Sequence, residues 1–115
     1  MALDLHAPSQ TTRIPSGDRV ADAVDRKRSQ LVVGLDPRWE LLPVELRGDA
    51  HLGRAAAADA CRRFCCGLVD AVRPYVVAVK PQLAYFEALG ADGARAFEEV
   101  CSYCLLYTSD AADEL

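Results

Sequence analysis

The 115-residue chain is short of lysine, of net positive charge and of long apolar runs. Its 13 basic residues are all arginine except Lys27 and Lys80, and 17 acidic residues outnumber them, for a formal net charge of -4. That balance lacks the electrostatic footprint of a nucleic-acid binder. Apolar runs stop at four or five residues, as from Val76 to Val79, far below the about 18 that a membrane span needs, so no helix is expected to cross a bilayer. The opening Met1-Ala2-Leu3-Asp4 brings an acid early and shows no basic-then-apolar pattern, so no secretory leader is expected and the cytoplasm is the default compartment. What is present, 51% hydrophobic and 26% charged residues with 7 Gly and 6 Pro, is the composition of a folded globular chain. At roughly 100 to 200 residues per domain, the length holds one domain or part of a larger one.

Residues 1–15 carry Pro8 and Pro15 without any period and are expected to form a flexible N-terminal arm. Ser16 is placed to cap a helix from Asp18 to Arg28, with Val20, Ala23, Val24 and Lys27 at helical spacing. Leu31-Val32-Val33-Gly34-Leu35 is a short apolar run without alternation, the pattern of a parallel strand buried on both faces. It ends at Asp36-Pro37, where the proline cannot join a ladder and holds Asp36 out of the helical region. A connector broken by Pro43 leads to a long helix over about Leu52 to Val72, whose apolar side is Ala57, Cys61, Phe64, Cys65, Leu68 and Val72. Val76 to Val79 is a second buried strand ending on Lys80-Pro81, so strand, helix and strand make a parallel βαβ unit. A short helix from Leu83 to Leu89 stops at Gly90, and another begins at Asp92 with Phe97, Val100 and Cys101 inward.

The five cysteines permit a four-thiolate zinc site built from Cys61, Cys65, Cys101 and Cys104. Packing is the favoured reading. Cys61 and Cys65 lie one helical turn apart on an apolar face, and neither cysteine stretch offers the Gly or Pro turn that holds structural zinc. No metal is therefore expected.

Two charged residues, Asp36 and Lys80, terminate the two apolar strands, and in parallel α/β folds ligand sites gather at that end of the sheet. Either they form a structural ion pair closing the sheet, or they contact a ligand. The chain chooses Arg almost everywhere else, and only a flexible amine can both donate to a sugar hydroxyl and shift its pKa readily, which favours chemistry at Lys80.

Leu31-Val-Val-Gly-Leu-Asp-Pro-Arg38 and Val77-Ala-Val-Lys-Pro-Gln-Leu-Ala-Tyr-Phe-Glu-Ala-Leu-Gly90 resemble the first two strand motifs of bacterial orotidine 5'-phosphate decarboxylases, and Ala96-Phe-Glu-Glu-Val-Cys101 is similar to the helix that follows. The resemblance runs from about Asp18 to Tyr103. It implies that 16–103 is the N-terminal portion, about two βα units, of a TIM (β/α)8 barrel. The implied enzyme is a homodimeric carboxy-lyase of pyrimidine biosynthesis that converts orotidine 5'-phosphate to UMP and CO2 without metal or organic cofactor. By the same resemblance Asp36 binds a ribose hydroxyl, and Lys80 contacts the ribose and joins the charged catalytic network. Gln82, Phe86 and Glu87 match the motif without an assigned role. The family's Asp-x-Lys-x-x-Asp run, whose lysine protonates C6, is absent from this sequence.

Cys104 to Glu114 resembles the translation of a sequencing-library adapter, so 104–115 is expected to be a non-native tail and the remaining chain an inactive fragment. Two alternatives are kept: a small non-catalytic α/β interaction protein, and a barrel aldolase using Lys80 as an imine-forming amine, which borohydride trapping would reveal. Two buried-type strands without barrel neighbours leave open edges, so the isolated chain is expected to fall below the threshold for stable folding and to be aggregated or molten.

Overall fold

The computed structural model describes residues 3–4, 16–28 and 30–113, and side chains within 18–28 and 30–106. In chain order the elements are β1 (Leu3–Asp4), α1 (Ser16–Lys27), β2 (Val32–Leu35), α2 (Val44–Arg47), α3 (Arg54–Val72), β3 (Ala78–Pro81), α4 (Leu83–Glu87) and α5 (Gly90–Asp113). Short 3-10 turns at Trp39–Leu41 and Ala50–Leu52 lie between β2 and α3. The sheet has the order β1-β3-β2, with β2 and β3 parallel and β1 antiparallel to β3. The expected βαβ unit is thus present. Leu3–Asp4, placed by sequence in a loose arm, forms a strand on the far edge of β3; the rest of that arm lies outside the described residues.

The central strand is apolar because it is enclosed: Val76, Val77, Ala78 and Val79 are all buried. Strand β2 departs from the doubly buried expectation. Only its last residue, Leu35, is buried, while Leu31 and Val32 are 63% and 53% exposed. The difference follows from position, since β2 is the outer strand and, among the described residues, nothing pairs with its other edge.

Helix α3 supplies the main core face. Ala57, Cys61, Cys65 and Val69 are buried along it, with Phe64, Leu68 and Val72 packed around them, and α5 lies alongside with Ala96, Val100 and Cys104. Phe86 of α4 is fully buried and meets Phe97 edge to face, ring centroids 5.3 Å apart. Gly90, at φ +67, makes the left-handed turn from α4 into α5. Gly93 permits the close contact beyond it, since a Cβ there would sit 1.8 Å from the Phe86 carbonyl oxygen. Helix α5 begins earlier than Asp92 and runs beyond Tyr103 to Asp113, so the backbone of the suspected tail continues the helix and Cys104 is buried within the core. On the surface, Arg62 and Arg63 bind Asp59 within α3, and Arg62 reaches Glu99 of α5 at 3.4 Å. Exposed pairs of this kind add little stability.

Lys27, at the end of α1, donates through Nζ to the carbonyl oxygens of Arg73 and Val76, the latter at 3.1 Å. It thereby fastens α1 to the turn that leads from α3 into β3. Burial, aided by the charges of Arg73 and Arg26, pulls its pKa from 10.5 down to about 8. An unfolded chain holds that proton up to about 10.5, whereas the fold releases it near 8, so the desolvation cost is carried below pH 8 and lifts as pH rises across that window. The stability difference between wild type and Lys27→Met should shift in favour of wild type from pH 7.5 to pH 9.5, as read from urea midpoints; parallel pH profiles would count against this role.

The thiols test the core itself. Burial is the first cause of the raised pKa in all five, pushing Cys61 up to about 11 and Cys104 up to about 12, and Cys65 further still. At pH 8 a disulfide reagent should label the half-buried Cys66 and Cys101 at least tenfold faster than Cys61, Cys65 and Cys104, and denaturant should equalise them. Five equally fast thiols in native buffer would mean that this packing is not formed.

Candidate active site

The site is set by the register of two parallel strands. Gly34 is opposite Lys80 and Leu35 opposite Pro81. Side chains alternate along a strand, so Lys80 shares its face with Gly34 and with Asp36, two residues on. Gly34 leaves that face open above the backbone, and the Asp36 carboxylate folds over it, its Oδ2 3.5 Å from the place a Cβ at Gly34 would occupy. Both Asp36 and Lys80 are exposed, and among the described residues no hydrogen bond or ion pair joins them. The structural pair considered from the sequence is therefore not formed, and both groups remain free to meet a ligand.

The loops that carry them are held by backbone. Val77 N–H donates to Leu31 O at 3.0 Å just before the paired residues begin. Leu35 is opposite Pro81, and a residue of a parallel ladder bonds to the two that flank its partner, so the missing N–H of Pro81 costs the ladder nothing. Gln82 N–H donates to Leu35 O at 3.0 Å, which ties the chain just after Lys80 to the chain just before Asp36. Pro37 is fully buried, and the Cys61 thiol of α3 donates to its carbonyl oxygen at 3.7 Å. Sequence reasoning placed Cys61 in the core but missed this bond, because nothing in helical spacing shows that a loop carbonyl faces the thiol. Of the motif residues left without a role, Phe86 is a core anchor, whereas Gln82 and Glu87 are exposed.

Beside this face lies a cavity of about 500 Å3, walled by Pro37, Arg38, Trp39 and Glu40 on one side and Ala84, Tyr85, Ala88 and Leu89 on the other. Its described walls include neither Asp36 nor Lys80, so it neighbours the charged strand ends without containing them. Among the described residues no three His, Cys, Asp or Glu side chains are grouped as a metal ion would require. Likewise, no described helix is long and apolar enough to cross a membrane.

Comparison with known proteins bears on the same segment. The chain is 45% identical over 82 residues to an orotidine 5'-phosphate decarboxylase of Rhodopirellula baltica, a match covering 70% of this chain and 27% of that protein. Decarboxylases of the same name from Roseiflexus sp. and Deinococcus radiodurans are 37% identical over 83 residues and 40% identical over 76, covering 72% and 66% of this chain and 28% and 23% of theirs. The chain belongs to the orotidine 5'-phosphate decarboxylase family. It spans about a quarter of the length of these decarboxylase relatives. No family model matches the chain, and no solved structure does.

The anchoring of the decarboxylase-like first loop can be measured directly. Cys61→Ala removes the bond to Pro37 O and should raise the rate of tryptic cleavage after the exposed Arg38 about fivefold, for a contact worth about 1 kcal/mol. Cys61→Ser, which keeps a donor, should stay closer to wild type. Equal cleavage in all three would show that the thiol does not hold the loop.

Proposed function

We propose that this chain is the segment of an orotidine 5'-phosphate decarboxylase barrel that supplies part of the ribose clamp, with Asp36 accepting from a ribose hydroxyl and Lys80 contacting the ribose and the charged centre where CO2 leaves. The observation that carries this reading is the parallel register, which sets Asp36 and Lys80 on one face at the C-terminal ends of adjacent strands, unpaired with each other. Ligand sites of (β/α)8 barrels are built at that end.

The chemistry asked of these groups is electrostatic. Loss of CO2 leaves carbanion charge at C6 of the pyrimidine, and an ammonium fixed in place stabilises charge that water would have to reorganise to meet. Binding energy from the remote phosphoribosyl portion holds the reacting carboxylate where its charge is least favourable, so it is realised in the rate and not only in affinity. The proton donor to C6 belongs to a motif this sequence does not contain, and the 115-residue chain is accordingly expected to be inactive. The whole enzyme is read as a cytoplasmic homodimer acting in UMP biosynthesis without cofactor.

A chimera in which this chain replaces the matching segment of the Rhodopirellula baltica relative tests the reading. It should decarboxylate orotidine 5'-phosphate, and Lys80→Ala should lower kcat at least 10²-fold, the order found when a preorganised electrostatic donor is removed. Asp36→Ala should weaken UMP binding by roughly tenfold or more as a hydrogen bond to a charged group is lost. An active chimera that tolerates Lys80→Ala would overturn the assignment of Lys80, and undiminished UMP affinity in Asp36→Ala would overturn that of Asp36.

A further inference from the structure

The sheet contains a strand that the βαβ unit does not call for. A chain that winds β2, α3 and β3 in one direction lays its following strand on the remaining edge of β3, parallel to it, because sequential strands of such units usually neighbour one another. That edge is occupied by Leu3–Asp4, running the opposite way, with Leu3 opposite Val79 and Asp4 opposite Ala78. Strand β1 also lies against α5, the helix from which a following strand would emerge.

The hydrogen-bonding direction of β3 shows what is covered. Leu35 of β2 is opposite Pro81 and accepts from Gln82 N–H, so Ala78 and Lys80, in step with Gln82, turn their N–H and C=O to β2. Val79 between them presents its own to the other edge, where Leu3 of β1 is its partner. Without β1 the polar backbone of a run in which Val76 to Val79 are all buried would be open to pairing with any other strand.

We infer that Leu3–Asp4 is an intramolecular plug that closes the growing edge of the sheet, and that it and a following parallel strand exclude each other. The plug itself rests only on the pairing; its displacement rests on the barrel reading proposed above. One polypeptide segment cannot share the Val79 donor with another, so completion of a parallel sheet requires β1 to leave.

Amide hydrogen exchange on the 115-residue chain separates the two halves of this inference. Leu3→Pro combined with Asp4→Pro removes the donors of β1 and should speed exchange at Val79 at least tenfold, with Ala78 and Lys80, which face β2, unchanged. Unchanged Val79 exchange would overturn the plug. Should the double variant lose protection at all three amides, the intact chain decides: a nuclear Overhauser contact between the backbone protons of Asp4 and Ala78 supports the plug, and its absence overturns it. In the active chimera the same double variant should keep Val79 protected and kcat within twofold, because a parallel strand then holds the edge. Loss of Val79 protection in a chimera that still decarboxylates would show β1 to be a permanent strand, overturning displacement while leaving the decarboxylase reading intact.

Discussion

The parallel ladder between Val32–Leu35 and Ala78–Pro81 sets two strand ends level with each other, and the chemistry available to this chain follows from that alignment. A shift of one residue in the register would send Lys80 and Asp36 to opposite faces. The register is secured at both ends by backbone, through Val77 N–H to Leu31 O and Gln82 N–H to Leu35 O. The second bond comes from residue 82 because Leu35 is opposite Pro81, and α4 begins at Leu83, so the chain leaves the sheet just past the exposed lysine.

Stability and chemistry are divided between the two ends of the sheet. At the entry to β3, Lys27 satisfies carbonyl oxygens of the turn after α3 and ties down the first helix. At the exit, Asp36 and Lys80 are left exposed and unpaired with each other, while Pro37, Cys61 and Phe86 are buried beneath them. This is the division expected under the barrel reading proposed above, in which the C-terminal face of the strands carries function and the opposite face carries stability. The two lysines of an otherwise arginine-based chain stand one at each end: Lys27 fits between two carbonyls, where a slim amine suits better than a planar guanidinium, and Lys80 is exposed.

Much of this was legible in the sequence, for identifiable reasons. Apolar runs closed by Asp36-Pro37 and Lys80-Pro81 announced the strands and the charged ends, and the period of Ala57, Cys61, Cys65 and Leu68 announced the helix between them. Gly90 marked the break between α4 and α5 because a left-handed turn was needed there. The exposure of Leu31 and Val32 was not legible, since whether a strand is central or outermost depends on partners and not on its own composition. Nor could pattern reveal β1, a pairing of two residues in a segment with no period, held by backbone groups that every residue possesses. The bonds from Lys27 and Cys61 escaped for the same reason: they join side chains to carbonyl oxygens far away in sequence.

The account turns on Asp36 and Lys80 acting together on a ribose. A crystal structure of the active chimera with UMP bound measures this most directly. The account predicts the Asp36 carboxylate and the Lys80 Nζ each within about 2.6–3.2 Å of a ribose hydroxyl, hydrogen-bond reach, with the β2–β3 register unchanged. A ribose bound elsewhere, with Asp36 and Lys80 both facing solvent, would contradict it.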